Sequence, residues 1–581
     1  MICRKYFKLT ALLALILLCG CSGRVRKVSL EIVATSDVHG NLFPYDFLAE
    51  RDAPCDGSLA RVSTVLKTER RKYGANLLYL DAGDNLQGSP LTYQDKTADY
   101  GVSSVASRVL NDLGCDVVTF GNHDIEAGIQ TLDRFITSFD GNAVCANLFY
   151  KDTHYTYADP YTIIERDGIR IAVVGMTTPY VACKLPASVL SELEVKSVEE
   201  SSGILIPYIV SNEAPDLIVG LFHSGLEGGK TDDEFVENEA RSTAVNVPGY
   251  DVIIYGHDHE AHVEKVADCN GDSVLLVNPG AYANSLARVS ITLETVRDSV
   301  TDCSIEGFIQ NVENEEADER LLTNHREKID DVWQYLDSIV GCTDFDIDWT
   351  EAVCGPSYLT DYFNSVIFRS SSCEIALASP YDSPIHIPAG NVSIRDVIGL
   401  YPYENQITTL MLKGSDVVRI LEGSSSRWMN TISNAGDTLL NIVRKDDGYV
   451  FRNRVFDFIA AAGINYTVDI TKPAGSRIKV VSMSDGSPFD PEKRYRVGMS
   501  SFLASGGYSP FCDDLGMRGS ELRGLELMSS SADMCFHIIT NLAVNAENNE
   551  AVHQDRRGNW KLIPEKLAAD ALKHDVGLLN Y

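Results

Sequence analysis

The stretch Ser29-Leu30-Glu31-Ile32-Val33-Ala34-Thr35-Ser36-Asp37-Val38-His39 decides how the first half of this chain is read. A short run rich in β-branched and apolar residues ends in Asp-x-His, two side chains able to ligate a cation. The pattern returns downstream. Leu77 to Leu80 leads into Asp81-Ala82-Gly83-Asp84-Asn85, and Val117 to Phe120 into Gly121-Asn122-His123-Asp124. Leu217 to Phe222 leads into His223, and Val252 to Tyr255 into Gly256-His257-Asp258-His259. Ile169 to Val174 and Val274 to Val277 have the same composition, and helical-looking segments such as Leu59 to Tyr73 and Tyr100 to Leu113 lie between the runs. Apolar strands alternating with helices predict an α/β layered domain. Ligands of open α/β sheets bind beyond the carboxyl ends of the strands. The polar groups after these runs therefore face one common rim.

Each signal taken alone is weak. A histidine after a strand usually finds an ordinary hydrogen-bond partner, and an aspartate there is usually a turn or helix-cap residue. The ordered series D-x-H, G-D-N, G-N-H-D, H, G-H-x-H at successive strand ends is not explained that way. With these motifs the chain resembles the calcineurin-like metallophosphoesterases, and more narrowly the bacterial 5′-nucleotidase and 2′,3′-cyclic-nucleotide 2′-phosphodiesterase family. The resemblance runs through essentially the whole mature chain. It implies a four-layer β-sandwich flanked by helices, a linker helix and a C-terminal mixed α/β nucleotidase domain. It also implies a binuclear site, with Asp37, His39 and His259 on one ion, Asn122, His223 and His257 on the other, and Asp84 between them. Zinc, manganese or iron all suit such imidazole and carboxylate ligands. By the same resemblance His123 is a catalytic histidine rather than a ligand. Its partner is Glu126, where the 5′-nucleotidases usually carry Asp. Asp124 is read as a turn or helix-cap residue. A non-catalytic nucleotide-binding surface protein would have lost ligands, and none is missing.

The connector is expected as a solvent-facing helix over 311–340, between a phosphoesterase domain at 21–310 and a substrate domain at 341–581. In the latter, Leu400-Tyr401-Pro402-Tyr403-Glu404-Asn405, Asp457 to Asp469 and Phe502-Leu503-Ala504-Ser505-Gly506-Gly507 resemble family segments. The resemblance implies that Tyr403 and Phe502 sandwich a nucleobase, a contact tolerant of base identity. The 5′-nucleotidases carry a Gly-Gly-x-Arg element whose Arg grips phosphate. Here the region reads Ala378-Ser379-Pro380-Tyr381-Asp382-Ser383-Pro384, with no Arg. That favours the 2′,3′-cyclic-nucleotide 2′-phosphodiesterase/3′-nucleotidase branch over a 5′-nucleotidase or nucleotide-sugar hydrolase, with Arg395 and Arg369 as candidate replacement cations.

The 581 residues carry a net charge of −32, which opposes binding of a nucleic-acid polymer. A small nucleotide can still bind if metal ions supply local positive charge. Arg4, Lys5 and Lys8 followed by the apolar Leu9 to Leu18 make residues 1–20 a secretory signal, too short for a comfortable membrane span. Leu18-Cys19-Gly20-Cys21 resembles a bacterial lipobox, so Cys21 is expected to be lipidated. The protein is then an exported lipoprotein, facing the periplasm or the cell surface, that meets the membrane through its anchor alone. Of 14 cysteines the remaining 11 are scattered without a C-x-x-C pair, and nothing specifies an oligomeric state.

Overall fold

The computed structural model describes residues 25–97, 103–185, 187–231, 235–296, 299–381, 384–445, 448–505, 511–553 and 557–579. The signal segment and Cys21 lie outside them. Among the described residues no helix is long and apolar enough to cross a membrane, and the 11 cysteines from Cys55 onward are free thiols.

The first domain is two six-stranded sheets laid face to face. In chain order its strands are β1 (Arg26–Thr35), β2 (Leu77–Asp81), β3 (Val117–Val118), β4 (Asn142–Ala143), β5 (Leu148–Tyr150), β6 (Tyr161–Arg166) and β7 (Ile169–Thr177). There follow β8 (Leu193–Val195), β9 (Leu217–His223), β10 (Val252–Tyr255), β11 (His262–Ala267), β12 (Ser273–Asn278), β13 (Ser285–Val296) and β14 (Ser299–Asn311). One sheet has the order β14-β13-β1-β2-β3-β4, the other β11-β12-β10-β9-β7-β6. β1 to β4 run parallel, as do β7, β9, β10 and β12.

Successive residues of a strand face opposite sides, and here both sides are dry. Ile32, Leu78, Ile171, Val173 and Ile254 fill the space between the sheets. Their neighbours Val33 and Tyr79 pack outward under the helices Leu59–Tyr73 and Val105–Leu113. Ala172 and Val174 pack outward on the other side, under Val198–Asn212 and Ala240–Asn246. Burial on both faces is why these strands read as apolar runs rather than alternating ones. The hairpin β13–β14 does alternate along β13, and it closes one edge of the first sheet.

The connector differs from the expected single solvent-facing helix. β14 runs to Asn311, and two helices follow, Glu319–Asn324 and Arg326–Leu336, separated at His325. Ile329, Val332, Trp333 and Leu336 recur at helical spacing and are buried. They join a core shared by both domains. The helix is thus a wedge with one wet face. Arg395, considered above as a phosphate grip, instead pins this wedge. It donates to the carbonyls of Phe47 and Ala49, pairs with Asp337 at 2.7 Å and lies over Trp333.

The second domain centres on a five-stranded sheet in the order Ala460–Ala462, Ile375–Ala378, Arg494–Ser500, Gln406–Lys413, Glu526–Asp533. Helix Gly414–Trp428 covers it with Val417, Ile420 and Leu421 in the core. Domain contact is also polar. Lys96 pairs with Glu404, and Tyr93 donates to Asp533 at 3.1 Å. The domains thus face each other across a cleft.

Candidate metal centre and cleft

The carboxyl ends of β1, β2 and β3 from one sheet and of β9 and β10 from the other meet at one rim. They bring together all seven residues singled out as ligands. Asp37 Oδ1 lies 3.3 Å from His259 Nε2, 3.7 Å from His223 Nε2 and 4.0 Å from His39 Nε2. Asp84 Oδ2 lies 3.1 Å from His223 Nε2 and 3.9 Å from His39 Nε2. The His223 and His257 rings are 5.3 Å apart. Asp37, His39 and His259 form one group fit to hold a metal ion, and Asp37, Asp84 and His223 a second. Both carboxylates therefore sit between the two sets of imidazoles, whereas only Asp84 was expected there.

The backbone is bent to reach this arrangement. Asp37, His39, Asp84, His257 and His259 all have φ between 50° and 80°. This left-handed region is uncommon for residues with a side chain and clusters at functional sites. The motif glycines follow from crowding. A Cβ on Gly121 would lie 1.9 Å from Asp84 Oδ1, and one on Gly256 2.5 Å from Asp37 Oδ2. Asp124, read as a cap, accepts four backbone N–H groups, from Asp84, Asn85, Leu86 and Gly121, at 2.7–2.9 Å. It ties the β2 loop to the start of helix Asn122–Glu126.

The donors fit divalent cations. Buried polar atoms are nearly always paired, yet Asn122 Oδ1 has no hydrogen-bond partner among the described residues. His39 Nε2 faces His259 Nε2 at 3.0 Å, an approach of two ring nitrogens that a shared cation accounts for. Nδ1 of His39 lies 3.0 Å from the Gln87 carbonyl and Nδ1 of His223 2.8 Å from that of Ala82. Their Nε2 lone pairs are thereby left for an ion. Burial pushes Asp37 and Asp84 toward the neutral acid, but the histidines opposite outweigh it and hold both below the usual carboxylate range.

His123 sits one residue past Asn122, on the helix Asn122–Glu126, and faces the cleft. Its Nδ1 lies 3.3 Å from Glu126 Oε2, the i,i+3 spacing of one helical turn. The longer Glu arm therefore reaches its histidine. Burial pulls the His123 imidazole down, but the carboxylates of Glu126 and Asp84 outweigh it and hold it up at about 9. Glu126 also accepts from Asn122 Nδ2 at 3.1 Å, which turns the free Asn122 oxygen away from it.

The cleft beside this rim has a volume of about 880 Å³, within the usual range for small-molecule sites of ~300–1,000 Å³. His123, His257 and His259 line one wall, and Tyr403, Phe456 and Phe502 belong to the facing domain. Tyr403 leans on Tyr381 at 5.3 Å and Phe502 meets Phe456 edge-on at 5.2 Å. Tyr381 occupies the segment that lacks Arg, with its hydroxyl 2.9 Å from that of Tyr401. Neither Arg395 nor the exposed Arg369 lines the cleft. Lys184 and Lys96 do, and Lys184 lies 4.8 Å over the Phe502 ring. The sequence reading also passed over Glu237, 2.9 Å from His257 Nε2, and Tyr282, whose ring is 5.5 Å from His39 and 5.4 Å from His259. Lys184, Glu237 and Tyr282 follow strands at the same rim, but several residues further along the loops.

Known proteins share this two-domain architecture. The family model described as calcineurin-like phosphoesterase matches residues 30–261, and that of the 5′-nucleotidase C-terminal domain matches 339–512. The trifunctional nucleotide phosphoesterase protein YfkN of Bacillus subtilis is 27% identical over 603 residues, covering 93% of this chain but 39% of that protein. The chain thus spans about two fifths of that relative's length. A 2′,3′-cyclic-nucleotide 2′-phosphodiesterase/3′-nucleotidase of Yersinia enterocolitica is 24% identical, covering 87% of this chain and 85% of that one. The fold matches that of the 5′-nucleotidase precursor from Thermus thermophilus, with a TM-score of 0.56 at 20% identity over 92% of this chain and 100% of that one. A Staphylococcus aureus structure solved in complex with alpha-ketoglutarate gives 0.67 at 21% identity, over 92% and 99%. With residues 30–261 matching one model and 339–512 the other, the chain belongs to the phosphoester hydrolases that join a calcineurin-like phosphoesterase domain to a 5′-nucleotidase C-terminal domain.

Proposed function

We propose that this hydrolase acts on nucleotides, chiefly 2′,3′-cyclic nucleotides and 3′-nucleotides, and serves nucleotide and phosphate salvage outside the cytoplasm. The observation that carries the nucleotide reading is the shared cleft, with imidazoles and carboxylates on one wall and the aromatic rings of Tyr403 and Phe502 on the other. Asp37, His39 and His259 would hold one divalent cation, Asn122, His223 and His257 a second, and Asp84 would bridge. Two such ions, whether zinc, manganese or iron, would supply a water nucleophile at neutral pH and a clamp on the phosphoryl oxygens. His123, held protonated by Glu126 and Asp84, donates a proton to the leaving oxygen. Tyr403 and Phe502 grip the base by stacking.

The cyclic and 3′-nucleotide preference is supported by the missing Arg between Ala378 and Pro384 and by relatives of that name at 23–24% identity. A 5′-nucleotidase or nucleotide-sugar hydrolase is the second reading, favoured by the intact His123–Glu126 pair. A panel of 2′,3′-cyclic AMP, 3′-AMP, 5′-AMP and a nucleotide sugar separates the two. The first two are expected to be preferred, and a chelator to abolish turnover until zinc or manganese is restored. Preference for 5′-AMP or the sugar nucleotide selects the second reading, and inertness toward all four rejects both. On the same panel Tyr403→Ala and Phe502→Ala each remove a stacking contact of ~1–3 kcal/mol, equivalent to about 5–150-fold in KM. Ribose 5-phosphate has no aromatic ring to stack, and its KM stays unchanged. Equal losses on both kinds of substrate reject stacking.

The N-terminal segment supports a lipid anchor at Cys21. Cys21→Ser is expected to move the enzyme from the membrane fraction to the soluble one, and unchanged membrane retention rejects the anchor.

A further inference from the structure

His257 is held differently from its neighbours. His39 and His223 each set their second nitrogen against a neutral backbone carbonyl. His257 sets its Nε2 against a carboxylate, Glu237 Oε1, at 2.9 Å. Glu237 is almost fully buried, and a buried carboxylate is costly unless it is paired. The loop around it fixes its position. Its other oxygen accepts the Lys230 backbone N–H at 2.5 Å, and its own N–H donates to the Lys230 carbonyl at 2.9 Å. Its carbonyl accepts the hydroxyls of Thr178 at 2.8 Å and Ser224 at 3.0 Å. The far nitrogen of His257, Nδ1, makes no hydrogen bond to any described residue.

We propose that Glu237 is a positioning residue for the cation shared by Asn122, His223 and His257. It holds His257 in the Nε2–H tautomer, leaves the Nδ1 lone pair for the ion, and makes the imidazole a stronger donor. A carboxylate behind a ligating histidine has this effect generally, and its loss weakens metal binding by about 10–100-fold. Among the described residues the other cation site, built on Asp37, His39 and His259, has no carboxylate behind its histidines outside the ligand set. Glu237 therefore biases one of the two sites and leaves its neighbour alone. The inference rests on the two-cation reading of the preceding subsection.

Calorimetric titration of metal-free protein with zinc alone tests it without any substrate. Wild-type protein is expected to take up two ions. In Glu237→Ala one binding step weakens by about 10–100-fold while the other is unchanged. In Glu237→Gln the loss is smaller, because the amide oxygen can still accept the Nε2 proton. Melting of the metal-free proteins reports whether either variant is misfolded, and a misfolded alanine variant leaves the glutamine variant to decide. Two unchanged steps, or two equally weakened steps with normal melting, overturn the proposal. If wild-type protein takes up no zinc, the two-cation reading falls with it. Normal uptake without nucleotide turnover refutes the substrate assignment and leaves the role of Glu237 standing.

Discussion

Replacing Asp84 with alanine is expected to lower kcat by about 10³–10⁴-fold, equivalent to ~4–5.5 kcal/mol of transition-state stabilisation. The carboxylate lies between the two groups of imidazoles, 3.1 Å from His223 and 3.9 Å from His39. Gly121 brings its backbone against Asp84 Oδ1 so closely that no Cβ fits there. Removing it takes a negative charge from between two would-be cations, so metal content is expected to fall together with turnover.

Asp84 has a second role that the experiment must separate. Its Oδ1 accepts the backbone N–H of His123 at 2.8 Å, and alanine loses that bond as well. Asp84→Asn keeps the size of the side chain and an acceptor oxygen but not the charge. If both variants lose metal and activity, the charge is what matters. If asparagine is as active as wild type, Asp84 serves to hold His123, and the binuclear site model is refuted. The fold should survive both changes, because the Asp84 backbone N–H remains tied to Asp124 at 2.7 Å. Mass-spectrometric metal analysis beside initial rates makes the distinction.

Asp84 was legible in the sequence for the reason the first domain was. Strands buried on both faces leave apolar runs, and the first polar residues after each run are the rim. That rule found Asp37, His39, His223, His257 and His259 directly. It fails a few residues further on. Lys184 follows β7 by seven positions and Tyr282 follows β12 by four, and their approach to the rim depends on loop paths that no local pattern encodes. Glu237 stands further still from β9, on a loop turned back by its own contacts with Lys230 and Ser224. The same dependence on tertiary packing explains Arg395. Its charge was visible, but only the wedge formed by the connector shows that the charge is consumed by Asp337 and two backbone carbonyls. The connector itself carried a readable helical stripe. What faced the stripe could not be read, because a helix between two domains and a helix in solvent share the same polar outer side.

His123 is the residue whose loss should separate chemistry from metal binding. His123→Ala is expected to slow kcat by about 10²–10⁴-fold, the usual contribution of a positioned general acid, with metal content unchanged. Among the described residues its imidazole belongs to neither group fit to hold a metal ion, and it faces Glu126 and the cleft. A leaving group that departs without a proton supplies the control. Nucleoside oxygens need protonation as the bond breaks, whereas p-nitrophenolate does not. With bis(p-nitrophenyl) phosphate the deficit of His123→Ala should therefore shrink by about an order of magnitude or more. An equal deficit on both substrates would mean that the imidazolium stabilises phosphoryl charge rather than donating a proton. Glu126→Gln should fall between the variant and wild type. It removes the carboxylate that does most to keep His123 protonated, but leaves Asp84 in place and the imidazole pointed at the same space. Its deficit should follow the same leaving-group dependence, since Glu126 acts only through the histidine it holds. A Glu126→Gln deficit that ignored the leaving group would detach Glu126 from His123 and place it on the substrate instead.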